Sequence, residues 1–277
     1  MAEFEIRPMP VESGRMSVLA RHWPNRGTFR GSLTVLHGIQ SHGAWYEQSC
    51  GRLADAGFEV WMPDRRGSGL NASDRGDAPS FRRLLDDVAD TMHLAPSPRF
   101  LVGISWGGKL AVAIQRRHAG LCDGLVLITP GLCQRVGLPL KDRIRVAIAR
   151  IVNPTKLFRI PLNEPALFTA NPNYLRFIED DPIRLKRATA RLLVESARLG
   201  IYNRLSVGFV RCPVLLLLAE HDGIIDNDRT RRFVGQFRTN DLTVREYPDA
   251  HHTLEFEPNG PPFVDDLIAW LIRQTQK

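Results

Sequence analysis

The chain has 277 residues, 43% of them hydrophobic, and this length suits one α/β domain with an insertion at least as well as two small domains. No run of about 18 apolar residues occurs, which excludes a membrane-spanning helix. The first thirty residues contain neither a signal-like apolar block nor an amphipathic leader, so we expect a cytoplasmic protein. The cysteines are scattered without a CxxC pair, which predicts free core thiols.

Short apolar runs alternate with helical stretches along most of the chain. An antiparallel pair near 4–9 and 16–22 is predicted first, followed by strands at 32–37, 58–62, 99–104, 123–129, 213–219 and 242–247. Helices are predicted at 44–56, 80–94, 106–118, 227–237 and 261–274. Several runs are apolar on consecutive residues, as in strands covered on both faces of a parallel sheet. The pattern therefore predicts an α/β fold with a mostly parallel, doubly wound sheet.

The alternation stops between Thr129 and Pro213, where prolines occur at spacings that a central strand would not accept. Helical pieces at 138–152 and 181–200 predict a mostly helical insertion above the sheet. We therefore divide the chain into a core, residues 1–130 and 212–277, and a helical cap segment, residues 131–211.

The positive charge lies in this cap segment. Residues 135–198 contain thirteen Lys or Arg against six Asp or Glu, an excess that equals the net charge of +7 for the whole chain. The basic surface could meet an anionic substrate, make transient contact with a membrane surface, bind a partner, or consist of solvated helix faces. Because the rest of the chain is neutral and no basic groove with interleaved aromatics is visible, we predict no nucleic-acid partner.

The stretch "GISWGG" follows the predicted strand 99–104 and leads into the predicted helix 106–118. Residues Gly103 to Gly107 fit the pattern G-x-S-x-G in the strand–turn–helix context of a nucleophile elbow. Such a turn exposes the Ser105 hydroxyl above the sheet, close to the positive end of the following helix. A tight glycine turn would be the structural alternative. The context favours Ser105 as a nucleophile.

A serine nucleophile needs a base and an acid, and two loops beyond later strands offer them. The stretch "EHDGIID" contains Glu220, Asp222 and Asp226. Asp222 lies directly beyond the strand, whereas Asp226 suits the N-cap of the next helix. The stretch "PDAHHTLEFE" contains His251 and His252, of which at most one can be the base. The chain order Ser, Asp, His is the order found in hydrolases with this elbow.

The elbow, "EHDGIID" and "HHTLEFE" together resemble the α/β-hydrolase superfamily, and within it the monoacylglycerol lipases and lysophospholipase-like hydrolases. The resemblance implies an α/β-hydrolase fold and a Ser-His-Asp triad of Ser105, His252 and Asp222. His252 is implied rather than His251, with Asp249 where the group usually has glycine.

The stretch "VLHGIQSHGAWY" is similar to the oxyanion loop of the same group. This similarity implies that the backbone N–H groups of Ile39 and Trp106 form the oxyanion hole, and that His37 braces the loop. Gln40 and Ser41 stand where monoacylglycerol lipases usually have glycine and glutamate.

These features predict a serine hydrolase that cleaves carboxylic esters through an acyl-enzyme. Acylglycerol or lysophospholipid esters are the favoured substrates. The basic cap segment suggests an anionic ester. No cofactor and no metal is predicted, since no metal-ligand or phosphate-binding motif is present. A thioesterase, a C–C bond hydrolase or an acyltransferase could use the same residues. The non-enzymatic alternative is a binding module on a hydrolase scaffold.

Overall fold

The computed structural model describes residues 3–12, 15–258, 260–261 and 263–276. Its strands are β1 (Glu5–Val11), β2 (Met16–Trp23), β3 (Gly31–Leu36), β4 (Phe58–Pro63), β5 (Arg99–Ile104), β6 (Gly124–Ile128), β7 (Leu157–Arg159), β8 (Arg187–Thr189), β9 (Val214–Ala219) and β10 (Leu242–Tyr247). Its helices are α1 (Glu47–Asp55), α2 (Phe81–Leu94), α3 (Trp106–Arg117), α4 (Leu140–Val152), α5 (Pro172–Asp180), α6 (Ala190–Arg204), α7 (Asn227–Val234) and α8 (Phe263–Thr275).

The main sheet has the strand order β1-β2-β4-β3-β5-β6-β9-β10. Strand β2 is antiparallel to β1 and β4, and the pairs from β4 to β10 are parallel. Every residue of β3, β6 and β9 is buried, because helices cover the sheet. Full burial explains the continuous apolar runs. Burying each large apolar side chain stabilises the fold by about 1.5–3 kcal/mol. The predicted α/β class with a mostly parallel sheet is confirmed.

Parallel strands place their carboxyl ends at the same edge of the sheet. Strand β5 lies between β3 and β6, with Val102 opposite Val35 and Val126. The loops that follow β3, β5, β9 and β10 therefore leave the sheet on one side. These loops carry the residues that the sequence singled out.

The chain between β6 and β9 contains α4, α5 and α6 together with the antiparallel pair β7 and β8. The prediction of a helical piece from 181 is wrong for its first part. The chain at 187–189 is strand β8, and α6 begins at Ala190, where the Thr189 hydroxyl accepts the N–H of Leu192. Residues 181–186 stay outside the helix because Asp181 and Arg184 bond to the core instead. The division at 131 and 211 remains a prediction.

The remaining expectations concern helix ends, cysteines and membrane spans. Helix α7 ends at Val234, three residues earlier than predicted, and the predicted helix 261–274 corresponds to α8, with position 262 outside the described residues. All four cysteines are free, Cys50 and Cys122 buried and the other two half-buried. Within the described chain, no helix is both long enough and apolar enough to cross a membrane.

Candidate active site

Ser105 stands at a strained turn between β5 and α3. Its φ of 51° and ψ of −118° put a non-glycine residue in the left-handed half of conformational space. A Cβ on Gly107 would lie 2.1 Å from the Leu36 carbonyl oxygen, and one on Gly103 would lie 2.7 Å from the Gly108 Cα. The glycines on either side of the serine are therefore needed for strand and helix to approach this closely.

A continuous path of hydrogen bonds joins Ser105, His252 and Asp222. The His252 Nε2 lies 2.9 Å from the Ser105 Oγ, and the His252 Nδ1 lies 2.7 Å from a carboxylate oxygen of Asp222. Because a carboxylate only accepts, Nδ1 carries the proton and Nε2 accepts from the serine hydroxyl. The other Asp222 oxygen accepts the N–H groups of Ile224 and Ile225 at 2.8 and 2.9 Å. Asp222 and His252 are both buried, so their orientation is fixed.

The neighbouring candidates have other contacts. Asp226 is the N-cap of α7 and accepts the N–H of Arg229 at 2.9 Å. Glu220 is exposed and accepts the N–H of Asp249. His251 donates its backbone N–H to Glu257. The structure thus brings Ser105, His252 and Asp222 together and leaves these alternatives outside the path.

The loop after β3 borders the same site. A Cβ built on Gly38 would lie 3.4 Å from the Ser105 Cβ, so the Gly38 backbone passes directly beside the serine. Trp106 is the first residue of α3, and its N–H is one of the helix N–H groups that have no intrahelical acceptor. A crevice of about 290 Å³ is lined by Gly38, Ile39, Gln40, Ser41, Trp45, Tyr46, Ile104, Ser105, Leu162, Phe168, His252 and Thr253.

His37 and Arg65 hold this loop from behind. The His37 Nδ1 donates to the Gly38 carbonyl at 2.8 Å, and its Nε2 accepts the backbone N–H of Arg65 at 3.1 Å. Burial keeps the pKa of His37 well below 6.5, so the ring is neutral as these bonds require. The Arg65 guanidinium donates to the Gly38 carbonyl at 2.8 Å and to the Ile39 carbonyl. These contacts give His37 the predicted bracing role.

Sequence reasoning missed Arg65. It lies in the stretch "PDRRGSGLN", directly beyond the carboxyl end of β4, and this position is the signal that could have found it. Its guanidinium also lies over the Trp106 ring, 5.1 Å from the ring centroid. Arg65 thus contacts both segments whose N–H groups were predicted to form the oxyanion hole.

Two buried residues of the cap segment form hydrogen bonds to the loop after β3. Asp181 accepts hydrogen bonds from the His42 Nε2 at 2.9 Å and the Trp45 indole at 2.8 Å. Arg184 donates twice to the Gln40 side-chain oxygen, at 3.0 and 2.7 Å. Gln40 therefore has a structural use in this chain, because it joins the loop to the cap segment.

One exposed group of side chains has the composition of a metal site. Glu220, His221 and Asp249 each place a possible ligand atom within 4.8 Å of the others. Their mutual contacts, such as the 3.7 Å approach of His221 to Asp249, are ordinary surface interactions. The expected absence of a metal remains a prediction.

Comparisons with known proteins agree with this architecture. A family model described as Serine aminopeptidase, S33 matches residues 27–259. The chain is similar to a monoacylglycerol lipase of Mycolicibacterium smegmatis, 24% identical over 255 residues that cover 88% of each protein. It is also similar to lysophospholipase L2 of Escherichia coli, 28% identical over 65% of this chain and 60% of that protein. Among solved structures, the Paleococcus ferrophilus monoacylglycerol lipase superposes with a TM-score of 0.85 at 22% identity, covering 94% of this chain and all of that one.

Proposed function

Because the chain belongs to the hydrolase family described as Serine aminopeptidase, S33, we propose that it is a serine esterase with Ser105 as nucleophile. The relatives support a carboxylic ester hydrolase of the α/β-hydrolase superfamily, similar to monoacylglycerol lipases. The observation that carries the proposal is the unbroken path from the Ser105 hydroxyl through His252 to Asp222. A binding module would not require these three side chains to be joined by hydrogen bonds.

The reaction follows from the geometry. His252 accepts the proton of Ser105 while the Oγ attacks the ester carbonyl carbon, and Asp222 stabilises the imidazolium that forms. The N–H groups of Ile39 and Trp106 stabilise the negative charge that develops on the carbonyl oxygen. His252 then protonates the departing alcohol, and water hydrolyses the acyl-enzyme by the same steps in reverse.

The proposed substrates are lipid-like esters, namely monoacylglycerols or lysophospholipids. Large apolar side chains line the crevice beside Ser105, among them Trp45, Leu162 and Phe168, and these suit an acyl chain better than a polar group. The two relatives described above are named for these substrate classes. The basic cap segment favours an anionic ester, since Lys and Arg exceed Asp and Glu there. The cytoplasmic location stays a prediction.

Hydrolysis of p-nitrophenyl esters of increasing chain length tests the proposal. The wild type should be active, and Ser105→Ala should lower kcat at least about 10⁴-fold, because no other group can form the acyl-enzyme. Monoacylglycerol and lysophosphatidylglycerol with the same acyl chain then compare a neutral with an anionic leaving group.

Other outcomes point to other functions. An active Ser105→Ala variant would contradict the serine mechanism. A wild type inactive on every ester would shift the function to thioesters, C–C bonds or acyl transfer, which the same side chains could serve. Each of these activities can be assayed directly, and Ser105→Ala should abolish it as well.

A further inference from the structure

The peptide bond between Gly38 and Ile39 carries one of the two N–H groups that were predicted to form the oxyanion hole. Its carbonyl oxygen, that of Gly38, accepts from the His37 ring and from the Arg65 guanidinium, both at 2.8 Å. The next carbonyl, that of Ile39, accepts from the same guanidinium. A trans peptide is planar, so its N–H points opposite to its carbonyl. Fixing the Gly38 carbonyl away from the crevice therefore directs the Ile39 N–H toward Ser105.

Both predicted oxyanion donors are free to bind a ligand. Ile39 and Trp106 are buried, and within the described part of the chain their backbone N–H groups have no acceptor. A buried N–H without an acceptor is costly, so nearly all such groups in folded proteins are paired. An ester carbonyl oxygen bound beside Ser105 would supply the missing acceptor, provided that both N–H groups keep their orientation.

Hydrogen bonds, rather than close packing, hold the peptide from behind. Gly38 has no Cβ, so no side chain of its own opposes rotation of this peptide. A cavity of about 410 Å³ is lined by His37 and Arg65, with Leu36 and Leu84 among the other lining residues, and by no residue of the proposed triad. Because space remains behind the loop, the donors of His37 and Arg65 are what oppose a flip of the peptide.

Arg65 uses its donors differently from the arginine that follows it. Arg66 binds carboxylates, donating to Asp87 at 2.6 and 2.8 Å and to Glu12 at 2.8 Å. Arg65 is half-buried, and no described carboxylate lies within ion-pair distance of it. Its guanidinium donates instead to the two consecutive loop carbonyls. A half-buried cation must replace its lost hydration, and here backbone oxygens of the loop after β3 do so.

The same guanidinium reaches the segment that carries the other predicted donor. It lies over the Trp106 ring, 5.1 Å from the ring centroid, where a cation is attracted to the aromatic face. The Trp106 indole N–H in turn donates to the Ser196 hydroxyl at 2.8 Å. Arg65 therefore joins the loop after β3 to the start of α3, the two segments whose N–H groups are predicted to bind the oxyanion.

We infer that Arg65 is a positioning residue that keeps the Ile39 N–H in its oxyanion-binding orientation. The inference rests on the proposed esterase function. Arg65 acts through the peptide that it holds rather than by contact with the ester. It supplies donors to two consecutive carbonyls, whereas His37 supplies a donor to the first of them only.

The first test compares Arg65→Met with wild type on the best ester of the p-nitrophenyl series. We expect kcat to fall by about 10²-fold, with KM nearly unchanged. Loss of one oxyanion donor usually costs about 10²–10³ in kcat, and the lower figure applies because His37 still holds the Gly38 carbonyl. Arg65→Lys should restore part of kcat, since one ammonium can reach one carbonyl.

A pair of inhibitors separates positioning of the donor from general damage to the site. A trifluoromethyl ketone forms an adduct with Ser105 that carries an oxyanion, whereas the corresponding trifluoromethyl alcohol forms no adduct. In Arg65→Met the affinity for the ketone should fall in parallel with kcat, and the affinity for the alcohol should stay at the wild-type value. Equal loss of affinity for both compounds would overturn the inference, because it would show that the crevice itself is distorted.

The control is Arg99→Met, which also removes an arginine bonded to a carbonyl, that of Ala95, at the opposite end of β5 from Ser105. This variant should keep wild-type kcat and ketone affinity. If Arg65→Met keeps both as well, the inference is wrong while the esterase function stands. A wild type without esterase activity would instead remove the proposed function itself.

Discussion

The core and the cap segment use apolar residues in opposite ways. In strand β9 every residue, including Leu216, is buried between layers of the core. In helix α4 the large apolar residues face solvent and only Val146 and Ala149 are buried. A strand that is apolar on consecutive residues can only be buried on both faces. An apolar face on a surface helix, in contrast, can point either toward the protein interior or toward solvent.

The largest expected effect tests the chemistry of the core. Asp222→Asn should lower kcat by about 10⁴-fold, because the asparagine NH2 group would donate to Nδ1 where the carboxylate accepts its N–H, and His252 would adopt the wrong tautomer. Ester hydrolysis at saturating substrate measures this. Asp226→Asn is the matched control, since asparagine also caps a helix well and Asp226 has no contact with His252. Equal activity of the two variants would contradict the assignment of Asp222.

A pair of truncations tests the contrast between the two regions directly. Leu216→Ala should lower the free energy of unfolding by about 2–5 kcal/mol, because it leaves a cavity in the closely packed sheet. Ile151→Ala, on the exposed apolar face of α4, should change the free energy of unfolding by less than about 0.5 kcal/mol. Urea denaturation of both variants gives the comparison, and a large cost at Ile151 would show that its side chain is covered in solution.

A smaller effect concerns a buried carboxyl group in the core. Glu255 accepts the N–H of Ser49 at 2.9 Å, and its second oxygen has no partner among the described residues. Burial raises the pKa of Glu255 from 4.5 to about 7. Between these two pH values the folded chain holds a proton that the unfolded chain has lost, so stability falls as pH rises through this window.

The loss should approach about 3 kcal/mol at pH values above the window. Glu255→Gln keeps an acceptor for Ser49 and cannot ionise, so its unfolding free energy should fall less between about pH 5 and pH 8. Urea denaturation at both pH values measures the difference between the two proteins. The same pH slope in wild type and variant would assign the dependence to other groups.

Much of the core could be predicted because its signals are local. The runs that became β3, β5, β6 and β9 are apolar on consecutive residues, and the elbow requires glycine at two fixed positions around Ser105. The cap segment was harder to predict. Residues 181–186 have a helical pattern, but two hydrogen bonds to distant residues keep them out of α6: Asp181 accepts the indole N–H of Trp45, and Arg184 donates to the side-chain oxygen of Gln40.

The sequence by itself determined the α/β class, the strand order along the chain and the short set of residues from which a triad could be drawn. Only the tertiary structure showed that His252 lies within hydrogen-bond distance of both Ser105 and Asp222, as the family resemblance implied, that Arg65 braces the Gly38 carbonyl, and which face of α4 looks outward. The reason is physical. An apolar run or a glycine turn is encoded by residues that are neighbours in the chain, whereas these contacts join segments that are far apart in it.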